Sequence, residues 1–247
     1  MAVKELYEQT LRQRGFQADA AQLHAIAALQ RCETEWADYK ARRGNALTKL
    51  VSRPPIPRGV YLHGGVGRGK SFLMDCFFLS VPLQRKTRLH FHEFMREVHR
   101  ELSELHGTAN PLQELARRIA RRHRLICFDE FHVADVTDAM ILHRLLEALF
   151  ENRVSIVATS NFRPADLYPN GLHRERILPA IALLEAKLEI VGVDNGTDYR
   201  QLALGQLGLY HQPLSAAADA EMQRAFERLA ETQDEDPVLH IEHRELR

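Results

Sequence analysis

Cysteine is scarce in this chain, with three residues in 247, Cys32, Cys76 and Cys127. They lie far apart and form no CxxC pair, which excludes a disulfide framework or a zinc knuckle as the basis of the fold. That usage fits a reducing compartment, and a cytoplasmic location is expected. An excess of either charge is also missing: 33 Lys and Arg balance 33 Asp and Glu. A neutral chain is not built mainly to coat DNA or an anionic membrane, although a local basic patch remains compatible with it. No uninterrupted apolar run approaches the ~18 residues of a membrane span. The opening MAVKELYEQTLRQRG has no apolar h-region, so no secretory signal is expected. Glu5 and Glu8, and the lack of serine there, argue against an Arg-rich organellar presequence.

What is present is the composition of a soluble globular protein, 45% hydrophobic and 27% charged. The length suits one large domain or two small ones. Residues 18–42 carry an amphipathic helical pattern with Asp19 as N-cap. The prolines at 54, 55 and 57 break the chain into a rigid connector. Apolar runs then alternate with helical spacing. Strands are expected over Val60–Leu62, Arg88–His92, Leu125–Phe128, Val154–Ala158 and Leu188–Val193. Helices are expected over Ser71–Leu79, Phe94–Leu105, Leu112–His123, Asp138–Phe150 and Ile177–Lys187. This alternation predicts a mostly parallel sheet with helices on both faces. Ser215–Thr232 reads as an exposed helix and Val238–Glu242 as a strand.

Gly64-Gly65-Val66-Gly67-Arg68-Gly69-Lys70-Ser71 fits the phosphate-loop pattern GxxxxGK followed by Ser or Thr. It follows an expected strand and opens an expected helix, the context that gives the motif its meaning. Glycines let successive N–H groups turn inward around a phosphate, and the helix N-terminus adds partial positive charge. Lys70 would reach the β- and γ-phosphates of ATP, and Ser71 would offer its hydroxyl to Mg²⁺. Downstream, the apolar run 125–128 ends in Asp129-Glu130. An Asp at such a strand end positions Mg²⁺. A neighbouring Glu can activate water for attack on the γ-phosphate, which favours hydrolysis over transfer to another acceptor. The next strand ends at Ser160-Asn161, where a polar side chain could orient the attacking water. Arg174 and Arg176 open the helix after an Asn-Gly turn.

Several segments together resemble the ZapE/AFG-one-like branch of the AAA+ ATPases. They are GVYLHGGVGRGKSFLMDCFF, RLHFHEFMREVH, LICFDEFHVADVTDAMILHRLLEALF, VATSNFRPADLYPNGLHRERILPAI and VDNGTDYR, spanning about Gly59 to Arg200. The resemblance is strongest to bacterial members. It implies a P-loop NTPase of α/β class, a three-layer AAA+ core with a five-stranded parallel sheet in the order 5-1-4-3-2. The implied organisation is an N-terminal helical segment over 1–52, a nucleotide-binding core over 53–200 and a C-terminal extension over 201–247. The family continues beyond the equivalent of Arg247 into a lid with a sensor 2 arginine, so the chain is expected to lack the full lid. By the same resemblance Gly64 to Ser71 form Walker A, Asp129 and Glu130 Walker B, and Asn161 sensor 1. Arg174 is the candidate arginine finger acting on a neighbouring subunit, with Arg176 in reserve. Gln22 is the candidate adenine contact.

The function so implied is a Mg²⁺-dependent ATPase that assembles with itself and remodels a protein partner in bacterial cell division, FtsZ or another component of the division ring. Two alternatives stay open: a nucleotide-binding switch or scaffold with negligible turnover, and an AAA+ loader associated with nucleic acid. The second has one support, the run Arg117, Arg118, Arg121, Arg122 and Arg124, whose commoner reading is a solvated helix face. Nucleic acid is not the expected partner. His90 and His92 would share one face of a strand, but a bare two-His pattern rarely makes a metal site.

Overall fold

The computed structural model describes residues 2–14, 19–43, 53–169, 171–193, 219–220, 222–223, 239–241 and 244–246. Two compact units divide the chain, 1–197 and 198–247. In the first, helices α1 (Val3–Arg14) and α2 (Ala20–Ala41) precede β1 (Gly59–His63) and α3 (Lys70–Ser80). Then come β2 (Lys86–His90), α4 (Phe91–Glu104), α5 (Pro111–Arg122) and β3 (Leu125–Asp129). The unit continues through α6 (Val136–Glu151), β4 (Ser155–Ser160), short 3-10 turns at Pro164–Asp166 and Arg174–Arg176, α7 (Leu178–Lys187) and β5 (Leu188–Gly192). Local chemistry sets several boundaries. Asp19 caps α2 by accepting from the Gln22 amide, Asp135 caps α6 by accepting from the Asp138 amide, and Pro111 opens α5.

The five strands form one sheet in the order β2-β3-β4-β1-β5, every neighbouring pair parallel. Read from the other edge this is 5-1-4-3-2, the expected AAA+ order. The strands read as continuous apolar runs because both faces are covered. Tyr61, Ile126, Phe128, Ile156 and Ala158 point into one core, built with α4, α5, α6 and α7. Val60, Leu62, Leu125, Cys127 and Val157 alternate with them and pack into the other, built with α1, α2 and α3. The central pair β1 and β4 approaches closely at Gly59, where a Cβ would lie 1.8 Å from the Ile156 carbonyl oxygen.

One expected strand ends early. Residues 88–92 alternate, but β2 stops at His90 and Phe91 begins α4. Phe91, Phe94, Met95 and Val98 are all buried, and their spacing is that of a helix face. Phe91 packs against Phe128 and Phe131, with ring centroids 5.6 and 4.1 Å away. His90 and His92 therefore do not share a strand face, although their rings stack at 5.7 Å.

In the second unit, β6 (Leu239–Ile241) pairs antiparallel with β7 (Arg244–Leu246). The helix expected over 215–232 lies largely outside the described residues, of which 219–220 and 222–223 are helical. Among the described residues no helix is long and apolar enough to cross a membrane.

Candidate nucleotide site

Register brings the candidate residues to one edge of the sheet. His63, the last residue of β1, pairs with Ser160, the last of β4. The chain after β1 therefore enters the phosphate loop beside Asn161, and the Gly64 amide donates to the Ser160 carbonyl at 3.3 Å. Gly67 and Gly69 have φ of 78° and 79°, in the left-handed region that favours glycine. Gly69 also caps α3 without a side chain, so the first N–H groups of that helix face the loop rather than a capping oxygen. Lys70 Nζ donates to the carbonyls of Gly64 and Gly65 at 2.7 and 2.6 Å and to Asn161 Oδ1 at 3.0 Å. The structure thus brings Lys70 and Asn161, 91 residues apart in sequence, into direct contact.

Gln22 stands beneath this loop and is 2% exposed. Its Oε1 accepts from the Tyr7 hydroxyl at 2.8 Å, and its Nε2 donates to the Arg68 carbonyl at 3.2 Å. Both ends of the amide are engaged, one by α1 and the other by the loop backbone. This is the geometry of a brace for the phosphate loop.

At the end of β3, Asp129 is nearly buried. Its Oδ2 accepts from Arg88 Nε at 2.6 Å, and its Oδ1 lies 3.4 Å from the Thr159 hydroxyl. The same Thr159 oxygen accepts from the Glu130 amide at 3.2 Å. Glu130 has φ 52° and is exposed. A non-glycine residue in that region carries backbone strain, and the Thr159 contact and the neighbouring Phe131 amide bond to Thr159 O at 2.7 Å hold it there. Arg88 also bonds Asp75 of α3 and approaches the Ser71 carbonyl at 3.5 Å. Burial works against the charge on Arg88, but its bonds to Asp129 and Asp75 outweigh that and hold its pKa above the ordinary arginine value.

Sequence reasoning does not find Arg88, Asp75 or Thr159 as parts of this site. No spacing links 88 to 129. The link appears only once β2 lies beside β3 with His90 level with Asp129, two residues beyond Arg88 on the same strand face. For Thr159 the signal was closer, since it stands two residues before Asn161 in the run that ends β4.

Arg174 lies apart from these contacts. It is half-buried at the start of its 3-10 turn, and Nη2 donates to the Ala165 carbonyl at 2.8 Å. Its Nε is buried with no hydrogen-bond partner among the described residues. Arg176 of the same turn is exposed.

The whole chain, residues 1–247, matches the family described as AFG1-like ATPase. Over 252 aligned positions it is 41% identical to the cell division protein ZapE of Escherichia coli K12, covering 97% of this chain and 67% of that protein. It is likewise 41% identical over 212 positions to lactation elevated protein 1 homolog B of Danio rerio, covering 79% of this chain and 42% of that one. Among solved structures, a DNA replication initiation factor superposes with a TM-score of 0.52 at 14% identity, covering 87% of this chain and 63% of that one. At that identity the likeness is one of fold. With a complete phosphate loop, an acidic strand end beside it and a family match over its full length, the chain belongs to the AFG1-like ATPase family and is a P-loop ATPase.

Proposed function

We propose that this chain is a Mg²⁺-dependent ATPase that uses nucleotide-driven self-assembly to remodel a protein partner in bacterial cell division, with FtsZ or another division-ring component as that partner. Family membership supports the ATPase reading, and similarity to a cell division protein supports the setting. The observation that carries the reading is the contact of Lys70 with Asn161, which joins the phosphate loop to the end of β4.

In this reading the N–H groups of residues 65–71 cradle the phosphates, and Lys70 exchanges its carbonyl partners for β- and γ-phosphate oxygens. Glu130 accepts a proton from the attacking water, and Asn161 orients that water. The donor set fits Mg²⁺: the Ser71 hydroxyl and the Asp129 carboxylate are hard oxygen ligands, and Asp129 is held in place by Thr159 and Arg88. When bound, the metal neutralises charge on the phosphate oxygens.

Lys70→Ala is expected to abolish ATP binding. Glu130→Gln is expected to keep binding and lower turnover by about 10²-fold or more. Equal hydrolysis by the wild type and Glu130→Gln would sink the assigned role of Glu130. In the assembled form Arg174 supplies positive charge to a neighbour's γ-phosphate. Mixing Arg174→Ala subunits with Lys70→Ala subunits then restores hydrolysis, because each Arg174→Ala site receives an intact arginine from its neighbour. No rescue at any mixing ratio counts against a finger acting in trans. For the partner, the Glu130→Gln chain with ATP is expected to co-sediment with FtsZ polymers and the Lys70→Ala chain is not; equal sedimentation removes the nucleotide-dependent link.

A further inference from the structure

Parallel strands place all their N-terminal ends along one edge of the sheet, opposite the phosphate loop. Basic residues crowd that edge. Arg85 immediately precedes β2, Arg124 precedes β3, and Arg153 stands just before β4. Helix α5 descends to the same edge, since its end leads directly into β3. Between them lies a hollow of about 330 Å³ lined by Arg85, Arg117, Ala120, Arg121, Arg124 and Asn152. Its lining contains arginines and no acid.

The arginine run of α5 divides into two rows. Arg118 and Arg122 turn toward carboxylates, Glu114 at 3.5 Å and Glu101 at 3.7 Å. Arg117 and Arg121, one helical turn apart, line the hollow. Arg117, itself exposed, pairs with half-buried Glu114 at 3.6 Å, and Arg121 has no hydrogen bond or ion pair through its side chain among the described residues. The other two guanidiniums are fixed by backbone. Arg85 donates to the carbonyls of Ala120, at 2.5 Å, and Arg121, and so completes the C-terminal turn of α5. Arg124 Nη1 donates to the Asn152 and Arg153 carbonyls at 2.9 and 3.3 Å. Fixed guanidiniums lose little further entropy on binding a ligand. Burial and then the neighbouring Arg85 hold the pKa of Arg124 below the ordinary arginine value, with Tyr39 offsetting part of this. A bound anion would remove that cost.

We propose that this hollow is a second anion site that takes a compact, multiply charged phosphate. Guanidiniums bind carboxylate and phosphate alike through paired N–H donors. Four of them around one hollow offer more donors than the two oxygens of a carboxylate can accept, whereas linked phosphates carry free oxygens on every phosphorus. The volume falls at the lower end of small-molecule sites.

The test titrates inorganic tripolyphosphate into the full chain by calorimetry, with saturating ADP and no free Mg²⁺, and again into the Lys70→Ala chain so that the phosphate loop does not compete. Binding is expected in both, weakening with salt. Arg117→Ala with Arg121→Ala touches no backbone contact and should weaken binding by about tenfold or more. Arg118→Ala with Arg122→Ala should leave it unchanged. Sedimentation with phosphatidylglycerol vesicles, lost in the first pair of substitutions alone, would assign the phosphates to a lipid headgroup; no sedimentation would assign them to a free anion. The proposal is overturned by equal binding in the two double variants, by binding that vanishes in Lys70→Ala, or by a polyglutamate or duplex DNA that binds the hollow more tightly than tripolyphosphate does.

Discussion

Arg88 Nε donates to Asp129 Oδ2 at 2.6 Å, so the carboxylate proposed to hold Mg²⁺ already carries a cationic partner. The two side chains are 22% and 10% exposed, which makes the pair largely desolvated. Removing one member of such a pair leaves a charge without compensation, and because the pair keeps some exposure, Arg88→Ala should destabilise the nucleotide-free chain by about 1–3 kcal/mol. A bound Mg²⁺ would supply the missing charge. The same variant should therefore lose less stability with Mg²⁺ and ADP present, and its hydrolysis should saturate at lower Mg²⁺. Urea unfolding with and without Mg²⁺-ADP, with a Mg²⁺ titration of turnover, checks both points. Equal losses in the two conditions would separate Arg88 from the metal site. Arg88→Lys should behave as an intermediate, because one ammonium cannot match the guanidinium that spans Asp129 and Asp75.

Thr159 joins the two acidic residues through one hydroxyl, accepting from the Glu130 amide at 3.2 Å and facing Asp129 Oδ1 at 3.4 Å. Thr159→Val keeps the shape and removes both contacts. The strained Glu130 backbone then has one restraint fewer, so turnover should fall by about tenfold while ATP affinity stays near that of the wild type. Thr159→Ser, which keeps the hydroxyl, should retain most activity. A matched loss in the Val and Ser variants would make Thr159 a packing residue only.

The phosphate loop, the acidic strand end and the sheet's helical covering were all legible in sequence, because each rests on local spacing. Lys70, Asp129 and Asn161 stand where period, motif and strand ends put them. What joins them was not legible. Arg88 meets Asp129 across a strand pairing, and Gln22 meets Arg68 across 46 residues. Such contacts depend on which elements become neighbours, which local pattern does not encode. The misread end of β2 has a different cause. Leu89 and Phe91 alternate like a strand, but Phe91 belongs to the helical series 91, 94, 95 and 98, whose burial against Phe128 and Phe131 outweighs the shorter pattern.

His123 connects α5 to β3, and its Nδ1 is buried with no hydrogen-bond partner among the described residues. Burial, then Arg122 and Arg85, push its pKa below the ordinary 6.5. In the unfolded chain the ring binds a proton more readily than in the folded one. Stability from this group is thus fully present above pH 6.5 and declines as pH falls from there toward the folded pKa. His123→Gln removes the titration. The drop in urea midpoint between neutral and mildly acidic buffer should be smaller in His123→Gln than in the wild type. An identical drop in both would show that the ring takes up its proton equally well in the folded chain.

Gly69 meets two separate demands, and they can be pulled apart. Its φ of 79° is strained for any residue with a Cβ, and a Cβ there would lie 2.8 Å from Gln22 Nε2. Gly69→Ala should cost about 1–2 kcal/mol from the backbone alone and displace Gln22 as well. Gln22→Ala removes the overlap but also frees the Tyr7 hydroxyl and the Arg68 carbonyl from their shared amide. If steric overlap dominated, the double variant would recover ATP affinity relative to Gly69→Ala. If the brace and the left-handed turn dominate, as the engagement of both ends of the Gln22 amide indicates, the double variant should bind ATP no better than Gly69→Ala. Gln22→Ala alone should then weaken ATP binding without touching any phosphate ligand. ATP titrations of the three variants decide between the two. The second outcome would make the N-terminal helices working parts of the nucleotide site, acting through the backbone of Arg68.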